Sequence, residues 1–184
     1  MVYHSGNQLI DPYLLFDKVQ LRAGMHVADF GCGRTGHIIF PAARIIGEDG
    51  IVYAVDILKD ILAVIEKRAK LEAFLQIHTI WADIEQIGGV SIAKHGMDIV
   101  FLVNTLAHVD NRHAVLEEAH RVLKDKGRII VVDWTKKGLT FSPPDERFVD
   151  FDDIKNWARE RGFSVQEEFF VGKYHKGLVL YQHT

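Results

Sequence analysis

The sequence predicts an α/β fold on a mostly parallel sheet, and three observations carry that prediction. Short β-branched apolar runs alternate with longer stretches of helical apolar spacing, as strand–helix–strand crossovers require. The run Met97-Asp98-Ile99-Val100-Phe101-Leu102-Val103 is apolar at nearly every position, as befits a central strand covered on both faces. The first strand runs straight into Gly31-Cys32-Gly33-Arg34-Thr35-Gly36, a glycine-rich turn that opens a helix.

The elements follow in order. A helix is expected over 8–21, with Ile10, Leu14, Leu15, Val19 and Leu21 as its apolar stripe. Pro12 is tolerated near its start. A strand over 26–30 leads into the glycine turn. The helix after it covers 37–46, and Pro41 predicts a kink near residue 40. Gly47-Glu48-Asp49-Gly50 turns the chain into a strand over 51–57, followed by a helix over 59–73 and a strand over 75–80. The central strand 97–103 is followed by a helix over 111–123, a tight turn at Lys124-Asp125-Lys126-Gly127 and a strand over 128–134. The proline-bearing stretch 135–149 is long for a compact domain and reads as a lid loop. A helix over 150–161 precedes strands 163–171 and 174–182. Only Gly172-Lys173 separates the two strands, so they are expected to form an antiparallel hairpin.

Composition sets outer limits. With 184 residues, 48% hydrophobic and 26% charged, the chain suits one domain over 1–184 with one sizeable core. A net charge of −3 argues against a nucleic-acid partner, because phosphate contacts need an excess of Lys and Arg. One cysteine, Cys32, rules out an intrachain disulfide. The first residues lack the basic-then-apolar pattern of a secretory signal, and no apolar run approaches the roughly 18 residues of a membrane span. A cytoplasmic location is therefore expected.

The chemistry starts at Asp29-Phe30-Gly31-Cys32-Gly33. Its glycines allow a tight turn and a close approach of ligand to backbone. Asp56 ends the second strand, where a carboxylate can accept both hydroxyls of a ribose. Strand, glycine turn, helix and acidic residue together point to a nucleoside-containing ligand. Asp29, just before the first glycine, would repel a pyrophosphate and suits a cation. That favours S-adenosylmethionine, with its ammonium and sulfonium, over a dinucleotide.

Five segments then resemble the class I S-adenosylmethionine-dependent methyltransferases. They are Val27-Ala28-Asp29-Phe30-Gly31-Cys32-Gly33; Val52-Tyr53-Ala54-Val55-Asp56-Ile57; Trp81-Ala82-Asp83-Ile84; the stretch from Asp98 through Asn104-Thr105-Leu106-Ala107-His108; and the stretch from Leu123 through Gly127 to Trp134. The last is similar to the subgroup that includes the ubiquinone/menaquinone-biosynthesis enzymes. The resemblance implies a Rossmann-like three-layer sandwich, a mostly parallel seven-stranded sheet in the order 3-2-1-4-5-7-6 with an antiparallel C-terminal hairpin. It implies S-adenosylmethionine as cofactor and S-adenosylhomocysteine as product. It further implies that Gly31, Cys32 and Gly33 line the methionine part, that Asp29 sits near its amino group, and that Asp56 holds the ribose. Ile57 would pack on the adenine, Asp83 would accept the adenine amino group with Ile84 nearby, and the backbone of Asn104 would face the methionine end. The glycine spacing departs from the family's pattern by the insertion of Arg34-Thr35. The added substrate-covering domain of larger relatives is absent, so the N-terminal helix within 1–22 and loop 135–149 are expected to cover the site.

On the acceptor side, His108 follows strand four on the edge where ligands bind, and it serves either as a catalytic base or as a helix-start residue. Asp133 shares that edge, where a polar strand-end role is the plainer one. His175 and Tyr174 either face the pocket mouth or lie exposed at the start of the last strand. Arg147 either binds an acidic group or forms a surface ion pair. Cys32 has no base near it in sequence and reads as a small residue that fits the turn. His108, Asp110 and His113 form too weak a pattern for a metal, and none is expected. A small-molecule methyl acceptor is the leading expectation. A protein or RNA substrate, a non-catalytic S-adenosylmethionine-binding module and a nicotinamide-dependent oxidoreductase are the alternatives.

Overall fold

The computed structural model describes residues 9–135, 140 and 142–183. Helix α1 (Pro12–Val19) begins with proline at its first position, where no backbone N–H is needed. The Asp11 carboxylate caps it by accepting the Tyr13 N–H at 2.9 Å. The helix is shorter than the apolar stripe suggests because Gln20 turns left-handed, with φ 56°. Gln8, at the expected start, lies outside the described residues.

The remaining elements are β1 (His26–Phe30), α2 (Ile39–Ile46), β2 (Ile51–Asp56), α3 (Lys59–Leu71), β3 (Ile77–Trp81), β4 (Met97–Val103), α4 (Arg112–Val122), β5 (Leu123–Trp134), α5 (Phe151–Glu160), β6 (Phe163–Val171) and β7 (His175–Gln182). The sheet has seven strands in the order β3-β2-β1-β4-β5-β7-β6. Strands β1 to β5 pair in parallel, and β7 inserts antiparallel between β5 and β6. This is the predicted architecture.

Two cores flank the sheet. Val27, Phe101, Val103, Ile130, Val132 and Val179 pack on one face against α1, α2 and α3. Ala28, Phe30, Val100, Leu102, Val131 and Leu180 pack on the other against α4 and α5. The apolar run in β4 is thereby buried on both sides, as its composition requires.

Other boundaries also differ from the sequence expectation. Helix α2 starts at Ile39 rather than residue 37, which puts Pro41 in the first turn. No helical hydrogen bond needs its N–H there, so the expected kink has no cause. Strand β3 starts at Ile77 because Ala73 turns left-handed (φ 57°) after α3, leaving Leu75 87% exposed in the connection. The tight turn at 124–127 lies inside β5 as a bulge: Met97 pairs with Leu123, and Ile99 next pairs with Arg128. The turn chemistry is as expected, with Lys126 left-handed at φ 62°, but pairing resumes on both sides of it.

Candidate active site

The C-terminal ends of β1, β2, β4 and β5 lie on one edge of the sheet, where ligands bind in open α/β folds. Asp29, in β1, pairs across the sheet with Ala54 and Phe101, which belong to the core under α1–α3, and is 3% exposed. Asp56 ends β2 and is buried. Its Oδ1 accepts the Leu58 N–H at 3.0 Å and its Oδ2 accepts the Gly33 N–H at 3.2 Å. Each oxygen keeps a lone pair for a further donor.

The glycine turn is held from both sides. The N–H groups of Gly31 and Cys32 both donate to the Val55 carbonyl, at 2.8 and 3.1 Å. Gly31 is left-handed (φ 78°), and a Cβ on it would stand 3.0 Å from Thr105 Oγ1. That hydroxyl donates to the Phe30 carbonyl at 2.8 Å, tying the segment after β4 to the end of β1. Gly33 (φ 63°) has no atom within 4 Å of where a Cβ would sit, so its backbone faces open space.

Electrostatics sharpen the picture of Asp29. Burial, reinforced by the Asp56 charge, pushes its carboxyl up to about 8. It therefore carries a proton at neutral pH until a cation arrives. Cys32 is buried, and burial with the two carboxyls raises its thiol well above the ordinary range. Its side chain belongs to the core under α1–α3, so its backbone alone can line the cleft.

Beyond Asp56 the surface is apolar. Ile57 is 57% exposed, and its carbonyl accepts the Trp81 indole N–H at 2.9 Å. The Ala82 N–H donates to the Asp56 carbonyl at 3.2 Å, which keeps the start of the next loop against β2. Asp83 Oδ1 accepts the Glu85 N–H at 2.9 Å, and Ile84 packs partly on the core under α4 and α5.

After β4, Asn104 adopts a left-handed conformation (φ 53°) and its N–H donates to Val132 at 2.8 Å. The His108 N–H donates to the Thr105 carbonyl at 3.0 Å, closing a turn that leaves the His108 ring exposed on the ligand edge. Partial desolvation and then the Arg147 guanidinium lower its pKa, so the ring is neutral at pH 7. Asp133 is fully buried and accepts the N–H groups of Ala107 (3.2 Å) and Trp134 (2.8 Å). Burial raises its carboxyl to about 6. It clamps the turn that carries His108, a tertiary role that strand-end position alone does not reveal.

The remaining candidates separate. Arg147 donates to the Val109 carbonyl (3.0 Å) and pairs with Asp110 (2.8 Å), the plainer of its two expected roles. His113 pairs with Asp153 at 2.8 Å, and Asp110 pairs with Arg147. A cavity of about 360 Å³ at the start of α4 is lined by Val109, Arg112, His113, Glu146 and Arg147 among others, and shares no lining residue with the Asp29–Asp56 cleft. His175, an exposed position on one reading of the sequence, is wholly buried, while Tyr174 is half-buried. Residues ahead of α1 cross this edge. The His37 Nε2–H donates to the Ile10 carbonyl at 2.7 Å, and the Leu9 carbonyl lies 3.5 Å from where a Cβ on Gly172 would stand.

Sequence reasoning missed Thr105, His37 and the clamp function of Asp133. Each acts through a partner 25 or more residues away, which no local pattern records.

Comparison with known proteins bears on family and fold. A family model described as a methyltransferase domain matches residues 21–165. The ubiquinone/menaquinone biosynthesis C-methyltransferase of Vibrio vulnificus is 29% identical over 116 residues, covering 62% of this chain and 43% of that protein. The chain thus spans less than half the length of that curated relative. Among solved structures, a putative type 11 methyltransferase from Sulfolobus solfataricus superposes with a TM-score of 0.72 at 25% identity, covering 96% of this chain and 94% of that one. An S-adenosylmethionine-dependent methyltransferase from Aquifex aeolicus superposes with a TM-score of 0.83 at 23% identity, over 97% and 93% of the two chains, which speaks to the fold.

Proposed function

Since this chain belongs to the class I S-adenosylmethionine-dependent methyltransferases, we propose that it methylates a small molecule at the edge of the sheet formed by the ends of β1, β2, β4 and β5. S-adenosylmethionine is the methyl donor. The observation that carries the site is the pair Asp29 and Asp56, buried side by side at the ends of adjacent strands around an open glycine turn.

In this reading Asp29, Gly31, Gly33 and the backbone of Cys32 hold the methionine end, together with the backbone of Asn104. The free lone pairs of Asp56 accept the ribose hydroxyls. Exposed Ile57 offers an apolar face to the adenine, with Ile84 nearby, and Asp83 accepts its amino group. The residues fit the cofactor: a cation lets Asp29 ionise, Gly33 leaves room for backbone approach, and Asp56 has acceptor capacity to spare. The bound cofactor supplies a methyl group made electrophilic by the sulfonium. The chain's own part is alignment of the acceptor and, at His108, a neutral imidazole able to take a proton. The segment within 1–22 covers the site through Leu9 and Ile10. Loop 135–149 is the cover expected on the other side. Of that loop, residues 136–139 and 141 lie outside the described residues.

Two facts support a small acceptor. Net charge is −3, which offers no broad field for a polyanion. The name of the Vibrio relative places that protein in quinone biosynthesis. The test is a cell extract incubated with methyl-labelled cofactor and enzyme, then ultrafiltered. An enzyme-dependent labelled species in the filtrate, separated from the cofactor by chromatography, is expected. Label retained with protein or RNA would favour a macromolecular acceptor.

A further inference from the structure

His175 opens β7 and pairs with Trp134, the last residue of β5. Because β7 runs antiparallel to β5, both residues stand on the ligand edge. Their side chains lie on the same sheet face as Val132 and Val179, the face that also carries Asp29. Asn104 follows Val103, which pairs with Val132, so His175 sits about one residue step from its level and two strand spacings away, roughly 10 Å.

The environment of this ring is unusual. It is 0% exposed and lies 4.3 Å from the Trp134 ring, centroid to centroid. Both ring nitrogens are buried, and among the described residues neither has a hydrogen-bond partner. Buried polar atoms in native proteins are nearly always paired, and leaving two unpaired lowers stability. A leucine or phenylalanine would fill such a place without that cost. A ligand group brought beside this ring would give it the partner it lacks.

We propose that His175 is an acceptor-binding residue, which hydrogen-bonds the hydroxyl or amino group of the small molecule that receives the methyl group. The proposal rests on the small-molecule reading above. Burial alone lowers the pKa of this ring to about 4, so it stays neutral at physiological pH, with one N–H to donate and one lone pair to accept. It is placed to orient the acceptor's X–H group from the far side of the methionine end, with Trp134 as its support.

Two measurements test this. The first compares thermal unfolding of the wild type with His175→Leu and His175→Gln, each without ligand. His175→Leu is close in volume and removes both nitrogens, so a melting temperature several degrees higher is expected. A melting temperature several degrees lower would mean that a buried water or protein group already pairs the ring, and would overturn the proposal. The second follows the ring ¹⁵N signals of His175, identified by their loss in His175→Gln, in wild-type protein saturated with S-adenosylhomocysteine. Phenol and aniline serve as X–H probes. A saturable shift with either probe, absent with toluene, is expected. Signals unmoved by both would overturn the proposal. Calorimetry of S-adenosylhomocysteine on the same samples reports separately on the cofactor site, so failure there is distinguishable from failure at His175.

Discussion

Held at 3% exposure beside Asp56, the Asp29 carboxyl keeps its proton up to about pH 8, against an ordinary value of 3.8. The folded value lies above the unfolded one, so the empty folded protein holds a proton that the unfolded chain has released. Stability of the empty protein is therefore lost as pH rises from about 4 towards 8. In the proposed placement a cofactor ammonium beside Asp29 would favour the carboxylate, and binding would expel that proton. Affinity for S-adenosylhomocysteine should thus climb between pH 6 and 8, by at most about tenfold per unit, and level off above the apo value. Calorimetry across that range, in buffers of different ionisation enthalpy, reads both the climb and the released proton. Asp29→Asn should flatten the profile, and a wild-type profile already flat would mean that Asp29 is not coupled to the ligand. Asp29, Asp56 and the glycines are legible in sequence because a strand, a tight turn and a strand-end acid are local patterns. Thr105 is not, since its role comes from a distant strand end, and His175, for which sequence leaves a pocket-facing and an exposed reading open, needs the pairing of β7 with β5 to show that it is buried.

Among the elements, α4 carries a connection that no periodicity announces. Glu118 is 0% exposed, yet it sits on the helix as an ordinary acidic residue in sequence. Its carboxylate accepts the N–H groups of Gly88 (2.7 Å) and Val90 (2.9 Å) and pairs with Arg121 at 2.7 Å. Arg121 in turn donates to the carbonyls of Val90 (2.8 Å) and Ile92 (3.0 Å). The irregular segment between β3 and β4 is thereby anchored by one helical turn. Removing one partner strands a buried charge, so Glu118→Ala should cost about 3–5 kcal/mol in urea unfolding, while folded protein keeps its cofactor affinity. A loss below 1 kcal/mol, on the order of a surface ion pair, would contradict this anchoring. The strands were readable from β-branched runs and the helices from apolar spacing. The boundaries that shifted did so for local backbone reasons: left-handed Ala73 before β3, Pro41 in a first turn, and a bulge that lets β5 resume pairing past Gly127.

For the whole molecule, the alternation of strands and helices accounts for the parallel β1 to β5, and a hairpin too short to cross over makes β7 antiparallel to β6, whereas the strand order is implied by the family resemblance. That topology gathers Asp29, Asp56, Asn104, Asp133 and His175 on one edge from five different strands or strand ends. Acceptor identity has no counterpart in topology or motif, because it depends on side chains converging from distant segments. The cofactor site can be tested directly. Purified protein titrated by calorimetry with S-adenosylmethionine, S-adenosylhomocysteine and NADH, alongside Asp56→Ala, addresses the central claim. Binding of both sulfur ligands, weakened about 100-fold or more in Asp56→Ala by loss of charged hydrogen bonds and absent for NADH, is the expected result. Undiminished binding in Asp56→Ala, or binding of NADH alone, would contradict the placement of the cofactor between Asp29 and Asp56.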